Sequence, residues 1–271
     1  MTGMRTIGIA AVVAILVALA SARLTGAGEL EPGNETPMTV DHSGWDKILS
    51  KYVVASPDGI NRFSYRRVSA TDKKALRSYL AMLQTVKPSA LGADERRAYW
   101  INFYNALTID VVLDHYPVKS IRDIAISPGL FTVGPWKKAL VTVEGKRLSL
   151  DNIEHDILRK EWDDARVHYA VNCASISCPN LMAKAFTAKA LDEMLDRGAR
   201  DYVNHPRGVT VRGNKVMLSR IYDWYRRDFG KSEREVLAHV AKYATPALKK
   251  QLSGIETIDG YDYDWSLNEA K

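Results

Sequence analysis

Two short segments with alternating apolar and polar residues place the tightest limit on how this chain can fold. Residues 139–150 alternate around Glu144-Gly145, and residues 209–219 alternate around Gly213-Asn214. Alternation with a period of two around such a turn predicts a β-hairpin, in which neighbouring strands run antiparallel. The sequence therefore favours an α+β fold over a doubly wound parallel sheet.

Helical patterns fill most of the remaining chain. Apolar residues recur at helical spacing from Trp45 to Tyr52, over residues 71–86 and over residues 94–116. Later segments predict helices at 149–160, 187–205, 220–229 and 232–243, and a buried strand at 165–172. We therefore expect a helical N-terminal part followed by a mostly antiparallel sheet with hairpins and packed helices.

The first 22 residues predict export. Arg5 precedes an uncharged apolar run from Ile7 to Ala22, and Ala20-Ser21-Ala22 has the small residues of a cleavage site. A cleaved signal peptide is one interpretation, and an uncleaved membrane anchor is the other. Residues 23–40 predict a flexible tether, and residues 41–271 predict a single globular domain. We expect a periplasmic or secreted protein that meets a membrane only through a retained N-terminal segment.

The charge pattern argues against nucleic acid as a partner. The formal net charge of +6 is spread along the chain instead of forming a basic stripe. Such a spread is typical of a solvated surface. The expected partner is instead an unknown ligand or protein of the cell envelope.

Several polar residues fall where the predicted helices and strand should be buried. Buried polar groups need hydrogen-bond partners, so we expect these residues to belong to a polar network. His42, His115, His205 and His239, by contrast, lie among polar residues and are expected to be solvated. The residues predicted to be buried are Asn102 and Asn105 in the helix at 94–116, Glu154 with His155 at its edge, and His168 and Asn172 in the strand.

The two cysteines, Cys173 and Cys178, follow the predicted strand within one short loop. The first hypothesis is a thiol nucleophile, with His155 or His168 as its base. The second is a Cys173–Cys178 disulfide, which an oxidising compartment would favour. The third is a metal site, although the cysteine spacing matches no standard zinc motif. A helix beginning at Pro179 would lower the pKa of Cys178, whereas Cys173 has the better position at the strand end. We favour Cys173 as the nucleophile and His155 as its base, because side chains alternate along a strand and Cys173 would point to the face opposite His168.

Five segments resemble, in order, the family known as domain of unknown function 547, in its bacterial, exported form. They are WINFYNALTI (100–109), GPW (134–136), SLDNIEHDILR (149–159), RVHYAVNCASISCPNL (166–181) and YDWSLN (263–268). The resemblance covers roughly residues 45–268 and implies no reaction. It implies that the characteristic positions are Asn102, Asn105, Trp136, Glu154, His155, His168, Cys173, Cys178 and Pro179.

The resulting hypothesis is a polar cleft, with a papain- or transglutaminase-like fold as one possibility. Its catalytic residues would be Cys173, His155, His168 and Glu154, in a thiol-dependent hydrolase or acyl-transferase acting on an amide or ester. Its binding residues would be Asn102, Asn105, Trp136, Asn172, Ser175 and Cys178. We expect no cofactor and no metal. The alternative is a non-catalytic envelope module in which the cysteines are structural. Residues 222–229 (YDWYRRDF) form either an amphipathic helix packed on the sheet or a ligand-stacking patch.

Overall fold

Three helices build the first part of the domain, and their bounds lie within two residues of those predicted. The computed structural model describes residues 38–129 and 132–271, so the predicted signal peptide and most of the tether lie outside the described residues. The helices are α1 (Ser43–Tyr52), α2 (Ala70–Thr85) and α3 (Ala93–His115). Ser69 caps α2 by accepting a hydrogen bond from the Asp72 amide, as serine does at many helix starts.

Helix α3 lies at the centre of the main core. It is buried on nearly every side, so polar and apolar residues alike are covered. Asn102 is fully buried, and Asn105 is 2% exposed. The burial of both asparagines, predicted from their place on the apolar face, is confirmed.

The strands are short and mostly antiparallel, which confirms the α+β class. Both predicted hairpins are present, as β3 (Val141–Val143) with β4 (Lys146–Leu148) and β5 (Val209–Arg212) with β6 (Lys215–Ser219). An additional hairpin joins β1 (Val53–Ala55) and β2 (Asn61–Phe63). The tail strand β7 (Gly260–Asp262) pairs parallel to β6, a pairing that the sequence did not predict. The papain- or transglutaminase-like comparison stays a prediction.

Five further α-helices enclose a second core beside the β5–β6–β7 sheet. They are α5 (Leu191–Val203), α6 (Ile221–Trp224), α7 (Arg226–Phe229), α8 (Glu233–Tyr243) and α9 (Pro246–Leu252). Aromatic side chains dominate this core, with Tyr169, Tyr202 and Tyr222 all completely buried. His239 packs among them with Nε2 3.0 Å from the Tyr169 hydroxyl. Its predicted solvation is therefore wrong, as is that of His42, which is 6% exposed.

The predicted strand at 165–172 does not exist. Residues Ala165–Tyr169 form a 3₁₀ helix, and the chain is irregular from there to the cysteines. The Asp164 carboxylate starts the turn by accepting the Arg166 amide at 2.9 Å. The residues alternate as in a strand, but alternation does not identify a strand in a segment that is so deeply buried. The argument that Cys173 points away from His168 assumed a strand and therefore does not hold.

The predicted helix at 149–160 is present in an unusual form. Asn152–Leu158 is a π-helix, and a single turn, α4 (Arg159–Glu161), continues it. Ser149 and Asn152 bond to each other across its start, with Ser149 Oγ accepting the Asn152 amide at 3.2 Å. Short π-helical turns often mark functional sites, and this one carries Glu154 and His155.

The C-terminal tail ties the first hairpin to the cysteine loop. The Asn268 amide donates to Ala174 O at 3.0 Å, and its carbonyl accepts the Phe63 amide at 2.8 Å. The Asn268 side chain accepts the Tyr65 hydroxyl at 2.8 Å. The tail therefore lies between segments that are far apart in the sequence. Contacts also group Pro37–Lys271 as one compact unit, and none of the helices in residues 38–129 and 132–271 is long and apolar enough to cross a membrane.

Candidate functional site

A cavity of about 540 Å³ collects most of the residues predicted to act. The π-helix supplies Glu154 and His155, the 3₁₀ helix supplies His168, and the loop supplies Cys173 and Cys178. Trp136 also lines the wall. Cavities of several hundred Å³ with a few converging polar groups are typical ligand sites.

The two thiols meet because the loop between them turns back sharply. Ala174 has a φ of 60°, a left-handed conformation that non-glycine residues rarely adopt. The Cys178 amide then donates to Ser175 O at 3.1 Å, which closes a turn. As a result the two Sγ atoms lie 2.7 Å apart, although both cysteines are free thiols in the structure. No helix begins at Pro179, since residues 179–182 are irregular, so a helix N-terminus does not act on the pKa of Cys178.

The surroundings of the two thiols separate their pKa values. Burial alone would raise the pKa of Cys178, but hydrogen bonds from Cys173 and Tyr263 lower it to about 7. One of these bonds comes from the Cys173 amide, which donates to Cys178 Sγ at 2.9 Å. Its hydrogen bond to Cys178, together with burial, raises the pKa of Cys173 well above its ordinary value. Of the two thiols, Cys178 therefore loses its proton first, near neutral pH, while Cys173 keeps its own.

The histidines are joined by an arginine and an aspartate. His168 Nε2 donates to Asp228 Oδ2 at 2.7 Å, and Arg159 binds the same carboxylate through two nitrogens at 2.6 and 2.8 Å. Arg159 also donates to His155 Nδ1 at 3.3 Å. Burial lowers the pKa of His168, so its ring is neutral at pH 7. The bond to Asp228 fixes the proton on Nε2.

This arrangement gives His168 and His155 different chemical capacities. Nδ1 of His168 is buried and has no hydrogen-bond partner among the described residues. Since its lone pair is free, His168 can accept a proton while Asp228 stabilises the resulting cation. His155 already uses its Nδ1 lone pair to accept from Arg159. The geometry thus makes His168 the better base, in contrast to the preference for His155 that strand parity suggested.

The prediction that at least two of Asn102, Asn105 and Glu154 share a hydrogen-bond network is wrong among the described residues, because the two asparagines bond separately to distant backbone. Asn102 donates to Phe186 O at 2.8 Å and accepts the Phe186 amide at 2.9 Å. Asn105 donates to Ala170 O at 2.9 Å and accepts the Asn172 amide at 2.8 Å. Asn172 in turn holds Pro179 O at 2.7 Å. Asn105 and Asn172 therefore shape the loop that carries the thiols, whereas Asn102 holds the backbone at Phe186. None of these three asparagines lines the cavity.

Ser175 also supports the thiol pair from outside the cavity wall. It is 1% exposed, and its Oγ lies 2.9 Å from the Tyr263 hydroxyl and 3.4 Å from Cys173 Sγ. The Tyr263 hydroxyl itself lies 3.2 Å from Cys173 Sγ. Tyr263 was not among the predicted site residues. Its membership of the YDWSLN motif was the signal that could have indicated it.

Sequence reasoning also missed Asp228, Trp224 and Tyr225, which come from the segment predicted to be an amphipathic helix or a ligand-stacking patch. Tyr225 stacks on His168 with ring centroids 4.1 Å apart, and its hydroxyl faces the Glu154 carboxyl. Trp224 is 43% exposed at the cavity and does not pack into the core. Residues 38–129 and 132–271 contain no cluster of three or more histidine, cysteine, aspartate or glutamate side chains suited to a metal ion.

Fold and site together define an α+β domain with a thiol pair in an aromatic-walled cavity. Residues 88–203 match the family described as "Protein of unknown function, DUF547", which supports the resemblance drawn from the motifs. No curated protein and no solved structure matches the chain. The matched segment carries the cysteines, Glu154 and both site histidines, while Asp228, Tyr263 and the tryptophans Trp224 and Trp265 follow it.

Proposed function

We propose that this cavity catalyses thiol-dependent acyl transfer, either hydrolysis or transfer to an acceptor, on an amide or ester. One observation carries the proposal. A thiol with a pKa of about 7, Cys178, lines the same cavity as a histidine whose free Nδ1 is backed by an aspartate. A cysteine, a histidine and an orienting carboxylate are the parts that thiol acyl-transfer enzymes share, whatever their order in the chain.

The proposed reaction begins when Cys178 gives its proton to His168 Nδ1. The thiolate attacks the substrate carbonyl carbon and forms a C–S bond. The protonated His168 then returns that proton to the leaving nitrogen or oxygen as its bond to carbon breaks, leaving a thioester. His168 next takes a proton from water or from an acceptor hydroxyl, whose oxygen attacks the thioester. The C–S bond breaks, and the proton on His168 returns to the Cys178 sulfur.

Cys173 and Tyr263 support this step without bonding to substrate. The thiol proton of Cys173 and the hydroxyl of Tyr263 stabilise the Cys178 thiolate, so charge is available near neutral pH. Asp228 holds His168 in the tautomer that leaves Nδ1 free. This assignment differs from the initial preference for Cys173, which rested on a strand that is absent.

Two matched cysteine variants test the proposal. Iodoacetamide alkylation across pH should show a fast-reacting thiol in Cys173→Ser, whose hydroxyl can still donate to Cys178, and a slow one in Cys178→Ser. An activated ester such as p-nitrophenyl acetate should leave an acetyl group on Cys178, detected by peptide mass spectrometry, and His168→Gln should prevent that. Equal, slow alkylation of both variants, with no acetyl adduct on the reduced protein, would overturn the proposal.

A second candidate is a non-catalytic envelope module with an oxidised cysteine pair. The 2.7 Å between the sulfur atoms favours it, since such thiols can pair with little movement in an oxidising compartment. Thiols that react only after reduction would favour this binding module.

We also propose export, on the strength of residues 1–22. Protein purified from the envelope should then have an intact mass placing the N-terminus between Arg23 and Glu29.

A further inference from the structure

Glu154 is a buried carboxylate that forms no ion pair with any of the described residues. It is 5% exposed and lines the cavity. The basic groups around it contact other acids: His155 lies 3.9 Å from Asp151, and Arg159 and the neutral His168 bind Asp228. The hydroxyl of Tyr225 faces it and bonds to its carboxyl group. Buried carboxylates ordinarily have a paired cation or several hydrogen-bond donors.

Aromatic rings cover the wall of the same cavity. Trp265 contacts Trp136, Trp224 and Tyr263, with ring centroids 5.7, 5.5 and 4.7 Å apart. Trp45 and Trp100, in contrast, are 1% and 4% exposed and belong to the core. Trp136, Trp224 and Trp265 therefore differ from these core tryptophans, because they form a continuous aromatic surface that is open to the cavity.

The charges of the wall favour a positive ligand. Glu154 and Asp151 supply two carboxylates, and Cys178 adds a thiol that readily becomes negative. Lys137 is the one lysine among the lining residues, and it is exposed. Two arginines lie close behind this wall, Arg159 5.0 Å from the Tyr225 ring centroid and Arg122 5.3 Å from the Trp265 ring centroid, but neither lines the cavity. Arg159 donates two hydrogen bonds to Asp228, which balances its charge there.

We infer that the cavity binds a substrate through an alkylammonium group, which sits against the tryptophan wall and pairs with the Glu154 carboxylate. Aromatic faces attract such cations, and the attraction grows when water is excluded. The inference deepens the proposed function, because it names a chemical feature of the substrate for the same cavity. Amino sugars, the amino end of a peptide and choline-type head groups all carry such a group.

Pairs of probes that differ in charge and little in shape test this inference. Choline is compared with 3,3-dimethylbutan-1-ol, and glucosamine with N-acetylglucosamine, by calorimetry and tryptophan fluorescence on the reduced protein. At least one ammonium probe should bind about tenfold or more tightly than its neutral counterpart, as one desolvated charge contact provides. Selectivity for choline over its neutral counterpart would indicate a quaternary head group, and selectivity for glucosamine would indicate an amino sugar.

Three variants locate the effect. Glu154→Gln should weaken binding of the ammonium probe about tenfold and remove the charge selectivity, and Trp224→Ala, at an exposed position, should weaken it about fivefold. Glu161→Gln, a matched change outside the cavity, should leave it unchanged. Equal binding of charged and neutral probes, or no saturable binding of either ammonium probe, overturns the inference. Because binding needs no turnover, the result is independent of whether Cys178 forms an acyl adduct.

Discussion

At the scale of single residues, the buried asparagines hold the site by bonding to backbone. Asn105 is 2% exposed and satisfies both the Ala170 carbonyl and the Asn172 amide. Such a side chain replaces the regular secondary structure that this segment lacks. The residue just before Cys173 is thereby fixed to the central helix α3.

Replacing Asn105 by alanine should therefore be costly. The change leaves a buried amide and a buried carbonyl without partners, so we expect a loss of about 3 kcal/mol in the free energy of unfolding. Asn204 offers a matched control, because it also clamps backbone, at Tyr243 O and the Thr245 amide, but is only half-buried. Asn204→Ala should cost about 1 kcal/mol, since water can replace its bonds. Urea unfolding of both variants measures the difference, and equal losses would contradict the argument.

At the scale of elements, the sequence predicted the helices and hairpins but not how the tail and the cysteine loop are arranged. Helices α1, α2 and α3 and the two hairpins follow from period and turn residues, which act locally. The segment at 165–172 misled because alternation cannot distinguish a strand from a 3₁₀ helix buried on all sides. Likewise, Cys178, Glu154 and His168 could be suspected from polar residues in apolar settings. Asp228 could not, because only tertiary packing brings it to His168. For Tyr263 the one signal was its place in the YDWSLN motif.

The tail should matter more than its length suggests. Removing residues 267–271 deletes the backbone bonds from the tail to Phe63, Lys119 and Ala174 and exposes the pocket of the buried Leu267. We expect the free energy of unfolding to fall by about 3–5 kcal/mol, and the fast alkylation of Cys178 to be lost. Removing only Ala270 and Lys271 should cost about 1 kcal/mol, because one of these bonds goes. Thermal unfolding and alkylation of the two truncated proteins test this, and similar behaviour of both would refute it.

At the scale of the whole molecule, buried neutral histidines make stability depend on pH. Burial lowers the pKa of His42, His168 and His239, the last to about 4 from 6.5. Between pH 4 and pH 6.5, His239 binds a proton in the unfolded chain but stays neutral in the folded protein. Its contribution to stability is therefore complete above pH 6.5 and declines as the pH falls towards 4.

His239 alone should account for up to about 3 kcal/mol of this decline. His239→Gln can still bond to Tyr169 but cannot become charged, so its unfolding free energy should change less between pH 7 and 4. His115→Gln, at an exposed position, should keep the slope of the unaltered protein. Urea unfolding followed by tryptophan fluorescence at several pH values measures all three slopes. An unchanged slope in His239→Gln would show that another group controls acid sensitivity.

The tail that ties the first hairpin to the cysteine loop also determines at what stage of synthesis the site can form. A ribosome makes the chain from its N-terminus, so α3 and both cysteines are synthesised long before Tyr263 and Asn268. A nascent chain can form helices, yet it lacks the hydroxyl that helps stabilise the Cys178 thiolate and the residues that fix Ala174 in its turn. The thiol pair therefore gains its electrostatic surroundings only after the segment that carries Tyr263 and Asn268 has been made.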